Sequence, residues 1–334
     1  MSQLFRVSVV IPTFKREGPL RAALESLTRQ KLTHGSLEVV LADDGSNGEL
    51  DQCVRDFSAK FAGFQMVSGP NAGPGVARNR GVAAARGQVV IFTDSDCIAT
   101  PEWAENMTVV AENHHGYVHG PVLSSVPAMP PFVHSFMVHD ELLCGGNFGL
   151  KRSIFLDVGG FDPAISRVGE DHDIAERFRK HGIPGRYVGD AIIIHPPRLA
   201  RIGLPTEDSR YYQALREFYR VNTGHRASQA AGNRKLLRGA LLKLGTLTAP
   251  AVLAPLFPPF WPLGLVAMLA HTMRQRHVAN RTLRQAGETF SVPLTAALRR
   301  GLIMPVEDLL PYLFRVKYGI GGLSQDALDR ALDR

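Results

Sequence analysis

Two aspartates, Asp94 and Asp96, end the apolar run in the stretch "VVIFTDSD". An apolar run of this length predicts a strand that is buried on both faces. Two close carboxylates at the end of such a strand repel each other and lose hydration, so the pattern predicts a positively charged partner. Mg²⁺ or Mn²⁺ meets this requirement, because proteins hold these ions with one or two carboxylates and substrate phosphates. In an extended segment both side chains point to one side, and a solvated turn is the alternative interpretation.

The elements that must position these carboxylates alternate between strand and helix. Apolar runs predict strands at 7–13, 37–42, 64–69 and 88–93, and amphipathic patterns predict helices at 19–30, 50–62, 75–85 and 169–182. Such alternation predicts βαβ units and a parallel sheet. The polar stretches "PTFKR", "DDGS" and "DSD" come at three predicted strand ends. Since ligands of parallel sheets bind beyond the carboxyl ends of the strands, we expect these stretches to line one cleft.

Six motifs, in chain order, closely resemble those of the family 2 glycosyltransferases, which are inverting enzymes of the GT-A fold. They are "VSVVIPTFKR", "VVLADDGS", "NAGPGVARNRG", "VIFTDSD", "GGNFGLKRSIFLDVGGFD" and "GEDHD". The resemblance covers residues 5–195. It implies a Rossmann-like α/β domain over residues 1–200, with a mostly parallel central sheet flanked by helices. It also implies a metal-dependent enzyme that moves one sugar from a nucleotide-sugar donor to a hydroxyl acceptor.

The resemblance also implies which residues hold the donor and the metal ion. Asp96 is expected to contact Mn²⁺ or Mg²⁺ most directly, and Asp94 to lie nearer the ribose. Asp44 is expected to accept a hydrogen bond from the nucleobase, while Asp43 holds its loop. Arg78 is expected near the nucleotide, with a salt bridge across the cleft as the alternative. The other residues expected around the donor are Pro12, Thr13, Phe14 and Ser95.

For the reaction itself, inversion requires a base that takes the proton from the acceptor hydroxyl. The resemblance assigns this role to Asp171. Glu170 beside it is expected either to raise the pKa of Asp171 by like-charge repulsion or to help position the acceptor. The plain alternative is that both are first-turn acids of a helix. His195 is either a third metal ligand or a structural histidine. The residues expected near the acceptor or sugar are Trp103, Gly146 and Asn147, and Trp103 has the alternative role of a core anchor.

The C-terminal region, residues 201–334, is predicted to be helical, basic and partly apolar. Lys and Arg outnumber Asp and Glu by 20 to 9 after residue 195, against 18 to 22 before it. Residues 244–270 carry no charge but contain five prolines, which disfavours one straight membrane span. Basic residues on both sides favour a peripheral element at an anionic membrane surface. A buried Pro-kinked helix pair and a homodimer contact are the alternatives.

The expected location is the cytoplasm, at the inner face of the cytoplasmic membrane. The N-terminal residues resemble a first strand rather than a signal peptide. Three widely spaced cysteines show neither a disulfide framework nor zinc-site spacing, which is typical of a reducing compartment. No stripe of alternating aromatic and basic residues indicates nucleic-acid binding.

Several functional points stay open at this stage. UDP is favoured only by family habit, and the acceptor is expected to be a lipid-linked or cell-surface glycan intermediate. The stretch "QALRE" at 213–217 has glutamate where processive relatives have tryptophan, which favours non-processive transfer. The alternatives are a non-catalytic scaffold or binding module and a sugar-phosphate nucleotidyltransferase. The second is disfavoured because "IPTFKREG" is not a Gly-rich phosphate loop.

Overall fold

The structure is a computed structural model of the 334-residue chain. It describes residues 5–125, 133–134, 143–165, 169–199, 261–285, 291–295 and 297. The chain divides into two compact units, which comprise residues 1–125 with 136–196 and residues 126–135 with 197–334. The prediction of a helical region over 201–334 falls mostly outside the described residues, as does the "QALRE" stretch.

In the first unit, strands and helices follow one another as βαβ units. The described strands are β1 (Val7–Thr13), β2 (Leu37–Asp43), β3 (Gly63–Ser68), β4 (Val89–Thr93), β5 (Ile98–Ala99), β6 (Tyr117–His119) and β7 (Val122–Ser124), then β9 (Asn147–Lys151), β10 (Gly185–Tyr187) and β11 (Ile193–His195). The described helices are α1 (Glu17–Leu27), α2 (Asp51–Ser58), α3 (Pro74–Ala84), α4 (Trp103–Asn113), α5 (Arg152–Asp157) and α6 (Glu170–Lys180). Strand β8 (Val133–His134) belongs to the second unit.

A seven-stranded sheet organises this unit, in the order β10-β6-β9-β4-β1-β2-β3. Strands β4, β1, β2 and β3 run parallel, whereas β9 pairs antiparallel with both β4 and β6. The prediction of a mostly parallel central sheet is therefore confirmed. A smaller sheet, in the order β5-β11-β7, lies beside the stretch that follows β4.

Strand β1 shows why the sheet is covered on both faces. All seven of its residues are buried. Val9 packs with Leu20 and Leu24 of α1, while the adjacent Val10 packs with Ala77 of α3 on the other face. Alternate side chains thus enter two separate cores, as expected for a continuous apolar run in a parallel sheet. Polar side chains then have room only at the strand ends.

The second unit is described in part. Strand β8 pairs antiparallel with β12 (Arg198–Leu199), and helix α7 spans Trp261–Gln285. Of the predicted apolar stretch 244–270, residues 244–260 lie outside the described part, and the remainder begins α7. Among the described helices, none combines the length and the apolar content needed to cross a bilayer.

Candidate active site

The segment that carries the two aspartates is a turn. The amide of Cys97 donates to the carbonyl oxygen of Asp94 at 3.1 Å, so residues 94–97 form a β-turn rather than an extended segment. The expectation that Asp94 and Asp96 point to one side because of strand periodicity is therefore wrong. Ser95, between them, is buried with 8% of its surface exposed. The carboxylates of Asp94 and Asp96 have different partners.

Asp94 is held by a buried arginine. Nη2 of Arg78 donates to Oδ1 of Asp94 at 2.7 Å, and Nη1 of the same guanidinium lies 3.3 Å from Oε1 of Glu170. Only 3% of the Arg78 side chain is exposed, and the guanidinium lies 5.5 Å from the ring centroid of Phe161. The salt bridge that was the alternative interpretation of Arg78 is present. It joins the turn after β4 to the first turn of α6.

Burial sets the electrostatics of this bridge. Burial acts to lower the pKa of Arg78, but the charges of Asp94 and Glu170 outweigh it, so the pKa is raised. Arg78 therefore stays charged inside the protein. For Glu170, burial raises the pKa, Arg78 opposes the rise, and the nearby charge of Asp171 adds to it. One guanidinium thus shares its charge between two carboxylates, and the pKa of Glu170 remains above its ordinary value.

Gly146 is packed directly behind Asp94. A Cβ atom placed on Gly146 would lie 2.7 Å from Oδ2 of Asp94, which is closer than van der Waals contact allows. Any larger residue at this position would push the Asp94 carboxylate out of its place. The glycine was expected to lie under the donor sugar, and its observed contact is with the carboxylate.

Asp96 lies among side chains that suit a metal ion. Its Oδ1 is 3.6 Å from Nε2 of His195, and ligand atoms of Asp96, Cys97 and His195 all lie within 4.8 Å of one another. Nδ1 of His195 is 3.0 Å from the carbonyl oxygen of Pro196. A carbonyl only accepts, so Nδ1 donates this hydrogen bond, and Nε2 is the ring nitrogen that faces Asp96. With its proton on Nδ1, an imidazole can bind a cation through Nε2, together with the carboxylate of Asp96.

Cys97 was not among the predicted site residues, and Asp94 does not belong to this cluster. Burial raises the pKa of the Cys97 thiol, and the charges of Asp94 and Asp96 add to the rise. A protonated thiol is a weak ligand. The residues that fit the metal ion are therefore Asp96 and His195, while Asp94 is engaged by Arg78. The sequence feature that indicates Cys97 is its position directly after the aspartate pair.

The ends of β1 and β2 form the neighbouring part of the edge. Pro12 and Thr13 are buried, whereas Phe14 is 40% exposed. Among the described residues, Oγ1 of Thr13 has no hydrogen-bond partner. Phe14 is thus the aromatic side chain that this edge presents to solvent.

The two aspartates after β2 both hold loops. Asp43 accepts hydrogen bonds from the amide and hydroxyl of Ser46, as expected. Asp44 accepts from the amides of Ala72 and Gly73, each at 2.9 Å, so it fixes the loop that precedes α3. Oδ2 of Asp44 also accepts from Nδ2 of Asn71 at 3.1 Å, so Oδ1 is the carboxylate oxygen that retains a lone pair after these bonds. A nucleobase contact by Asp44 therefore remains a prediction.

Trp103 and Asn147 lie in the core and not at the cleft surface. Both are 0% exposed, and Nε1 of Trp103 donates to Oδ1 of Asn147 at 2.8 Å. Asn147 also donates to the carbonyl oxygens of Pro121 and Ala191, each at 2.9 Å. The expectation that they contact a sugar is wrong for these side chains, because no face of either is accessible. Trp103 is the core anchor that was its alternative.

Asp171 occupies the first turn of α6, one residue after Glu170. It is half-buried, and its Oδ1 accepts a hydrogen bond from the amide of His172 at 2.9 Å. Gly169 precedes the helix with φ of 91°, a left-handed conformation that favours glycine. The carboxylate thus lies at the positive end of the helix dipole.

The chain is similar in sequence to known glycosyltransferases. Residues 8–157 match the family described as "Glycosyl transferase family 2". The chain is 30% identical over 187 residues to the glucosyl-dolichyl phosphate glucuronosyltransferase of Haloferax volcanii, covering 50% of this chain and 59% of that one. It is 28% identical over 217 residues to the pre-mycofactocin glycosyltransferase of Mycobacterium tuberculosis, covering 58% of this chain and 43% of that one. The chain thus spans 43% to 59% of the length of these two relatives.

A solved structure shares the architecture. GalNAc-T7, crystallised with UDP, GalNAc and Mn²⁺, matches with a TM-score of 0.51 and 20% identity, over 66% of this chain and 48% of that one. At this identity the likeness shows the fold alone. It confirms the predicted GT-A class.

Proposed function

Residues 8–157 belong to glycosyltransferase family 2, and we propose that the chain is a metal-dependent, inverting glycosyltransferase that adds a single sugar. The observation that carries this proposal is the arrangement at the carboxyl edge of the sheet. Oδ1 of Asp96 and Nε2 of His195, two atoms that can both bind a metal ion, lie 3.6 Å apart. Through Asp94 and Glu170, Arg78 joins the turn that carries Asp96 to the helix that carries Asp171.

In the proposed reaction Asp171 is the base. Its carboxylate accepts the proton of an acceptor hydroxyl as that oxygen forms a bond to the anomeric carbon of the donor sugar. The bond between the anomeric carbon and the diphosphate oxygen breaks, and the nucleoside diphosphate leaves with the electron pair. A single displacement inverts the anomeric configuration. Glu170, which is buried against Arg78, holds the first turn of the helix so that Asp171 faces the acceptor.

Asp96 and His195 are the residues that would hold a divalent cation, Mn²⁺ or Mg²⁺. Such an ion supplies positive charge for the diphosphate that leaves. A mixed oxygen and nitrogen donor set suits Mn²⁺ better than Mg²⁺, since Mg²⁺ prefers oxygen ligands. The Mn²⁺ present with GalNAc-T7 supports a divalent ion in this fold.

The donor is proposed to be a nucleotide sugar, with UDP as the favoured nucleotide. Phe14 offers its exposed ring to the nucleobase, Asp44 offers the remaining lone pair of Oδ1, and Pro12 and Thr13 form the wall behind them. The UDP bound to GalNAc-T7 supports this choice.

A glycan or glycolipid acceptor at an anionic membrane surface completes the proposal. The Haloferax volcanii relative is named for a dolichyl phosphate substrate, which supports a lipid-linked acceptor. Within α7, Leu269 and Met273 are exposed, and Arg274 and Arg281 are exposed as well. Apolar and basic side chains together suit the surface of an anionic bilayer. Homodimerisation and a cytoplasmic location at the inner face of the membrane stay predictions.

The membrane part is tested by a charge change in α7. We expect Arg274→Glu with Arg281→Glu to reduce sedimentation with vesicles that contain phosphatidylglycerol, because each basic residue adds attraction to an anionic surface. Equal sedimentation of the variant and the wild-type protein would contradict this part alone. Neutral phosphatidylcholine vesicles serve as the control.

The catalytic part is tested by thermal unfolding against UDP-, dTDP- and GDP-sugars, each with and without Mn²⁺. A ligand that binds only the folded state raises Tm by mass action. We expect one nucleotide class to raise Tm, only with Mn²⁺ present, and Asp96→Ala to abolish the rise. Release of the nucleoside diphosphate upon addition of acceptor distinguishes an enzyme from a binding module. A Tm rise that is the same in Asp96→Ala would remove the metal assignment.

A further inference from the structure

We propose that Arg16 is a diphosphate-binding residue that exchanges its partner, from the carboxylate of Asp96 to the diphosphate of the donor, when the metal ion and the donor bind. The inference rests on the proposed function and adds a residue to it. Nη1 of Arg16 lies 2.7 Å from Oδ2 of Asp96. The other carboxylate oxygen, Oδ1, faces His195. Arg16 is therefore in direct contact with the carboxylate that fits the metal ion.

The backbone around Arg16 aims it at this site. Arg16 directly precedes α1, and its carbonyl oxygen accepts the hydrogen bond from the amide of Leu20. The preceding residue, Lys15, has φ of 53°, in the left-handed region that non-glycine residues rarely adopt. Its amide donates to Oγ of Ser46 at 2.9 Å, and its Nζ lies 3.0 Å from Oε1 of Glu49. The chain thus uses Lys15 to fix the loop.

The left-handed conformation strains the backbone at Lys15. It also directs the side chain of the next residue, Arg16, toward Asp96. Backbone strain of this kind persists where surrounding contacts enforce it, typically near functional sites. Lys15 is engaged by Glu49, whereas Arg16 leaves the loop toward Asp96 with 45% of its side chain still exposed. The backbone of Arg16 is fixed, whereas its guanidinium is exposed. The guanidinium can therefore change partner without disturbing the core.

Competition for Asp96 follows from charge. A guanidinium cannot act as a metal ligand, since its nitrogens have no available lone pair and it remains protonated. A divalent cation that shares Asp96 with Arg16 is repelled by it. Metal binding therefore weakens the pair between Arg16 and Asp96, and Arg16 in turn weakens the binding of the metal ion alone.

The donor diphosphate is the partner that suits the released guanidinium. A diphosphate bound to a cation at Asp96 would lie within reach of Arg16, because Arg16 already contacts this carboxylate. Planar guanidinium groups bind phosphate oxygens with two parallel hydrogen bonds. The exchange replaces one anionic partner with another, so the charge of Arg16 stays compensated throughout. A nucleoside monophosphate or an uncharged nucleoside offers fewer oxygens at this position.

The two effects have opposite signs, which gives the inference a distinctive signature. In the absence of nucleotide, Arg16→Ala is expected to bind Mn²⁺ about two- to fivefold more tightly than the wild-type protein, the size of an exposed ion pair. With Mn²⁺ present, the same variant is expected to bind UDP about tenfold to a hundredfold more weakly, the size of a charge-assisted hydrogen bond. By linkage, nucleotide and metal ion strengthen each other's binding less in the variant.

The experiment measures both affinities without turnover. Free Mn²⁺ is followed by electron paramagnetic resonance during titration of the full chain, with and without UDP, and UDP and UMP are titrated by calorimetry at saturating Mn²⁺. Arg16→Lys keeps the charge and is expected to retain part of the UDP affinity. Arg21→Ala is the matched control, because Arg21 lies on α1, the helix that Arg16 precedes, and pairs with Glu17 and Asp56 instead.

The outcomes separate this inference from the proposed function. Arg16→Ala that matches the wild-type protein and Arg21→Ala in both affinities overturns the inference while leaving the glycosyltransferase proposal intact. Equal weakening of UDP and UMP also overturns it, because the contact would not then be with the second phosphate. A wild-type protein that binds Mn²⁺ but no UDP, dTDP or GDP contradicts the proposed function and, with it, the diphosphate contact of Arg16.

Discussion

Arg78, whose side chain is 3% exposed, pairs with Asp94, whose side chain is 36% exposed, with 2.7 Å between Nη2 and Oδ1, and this pair joins two parts of the candidate active site. The arginine comes from α3 and the aspartate from the turn after β4. Glu170 completes the bridge from α6. The side chains come from three segments that are far apart in sequence, so the bridge fixes their relative positions only in the folded chain. A change at Arg78 is therefore expected to affect both the proposed donor site and the position of Asp171, the proposed base.

Replacement of Arg78 should be costly for stability. Arg78→Ala leaves Asp94 and the buried Glu170 without their cation, and breaking a buried ion pair costs about 3–5 kcal/mol of unfolding free energy. Urea denaturation followed by circular dichroism measures this loss. The control is Arg179→Ala, whose exposed pair with Glu176 is expected to contribute less than about 1 kcal/mol. Equal losses in the two variants would show that burial does not strengthen the dependence on Arg78.

Glu170 should make stability depend on pH in a specific direction. Its pKa is raised by burial above the ordinary value of 4.5, so the folded protein keeps this proton at pH values where the unfolded chain has lost it. Stability from this group is then fully present below pH 4.5 and is lost as the pH rises through the folded-state pKa. Glu170→Gln cannot ionise and should lack this decline.

The measurement is Tm of the wild-type protein and of Glu170→Gln across the acid-to-neutral range. As the pH rises, Tm of the wild-type protein should fall relative to Tm of Glu170→Gln. The exposed Glu25→Gln serves as the control, since Glu25 forms only exposed pairs with Arg29 and Lys60. Parallel curves for the wild-type protein and Glu170→Gln would contradict the raised pKa.

Sequence patterns predicted the parallel sheet because its signals are local. Each strand is a short apolar run, and the polar stretches follow where the runs stop, so both the alternation and the position of the site could be read along the chain. The conformation after β4 could not be predicted, because a pair of aspartates separated by one residue fits either a strand or a turn. The hydrogen bond from Cys97 to Asp94 decided it.

The sequence also did not predict which charged side chains pair with each other in the folded protein. Arg78, Glu170 and Asp94 are distant in sequence, so their bridge depends on how α3 and α6 pack on the sheet. Arg16 gave no sequence signal beyond its place in "PTFKR", and its contact with Asp96 spans 80 positions. Trp103 illustrates the reverse case, in which an aromatic residue near a motif suggested a sugar contact but lies wholly in the core.

The core role of Trp103 leads to a prediction about stability and kinetics. Trp103→Phe removes the indole N–H and leaves Oδ1 of Asn147 without this donor in the interior. An unsatisfied buried polar group costs about 1–3 kcal/mol, so chemical denaturation should show a loss of this size. At temperatures where the variant is folded, KM for donor and acceptor should stay close to the wild-type values. A large increase in either KM with unchanged stability would instead indicate a sugar contact.

Asp171 gives the sharpest kinetic prediction. Asp171→Asn keeps the size and the position of the side chain, but an amide does not accept the proton from the acceptor hydroxyl. The loss of general-base catalysis should reduce kcat by about 10²–10⁴-fold, while the affinity for donor and Mn²⁺ stays within about twofold of wild type because Asp171 is not among their expected ligands. Calorimetric titration of the donor and single-turnover transfer assays measure the two quantities on the same preparation.

The control for this variant lies on the same helix. Glu176→Gln also removes an acid from α6, and its pairs with Arg179 and Lys180 lie two turns away from the base. It should keep normal kcat, which separates the loss of a proton acceptor from a general change in helix charge. A fall in kcat of less than about tenfold in Asp171→Asn would place the base elsewhere. Glu170 would then be the next residue to test, because its raised pKa, at the same helix end, makes it a ready proton acceptor once it is ionised.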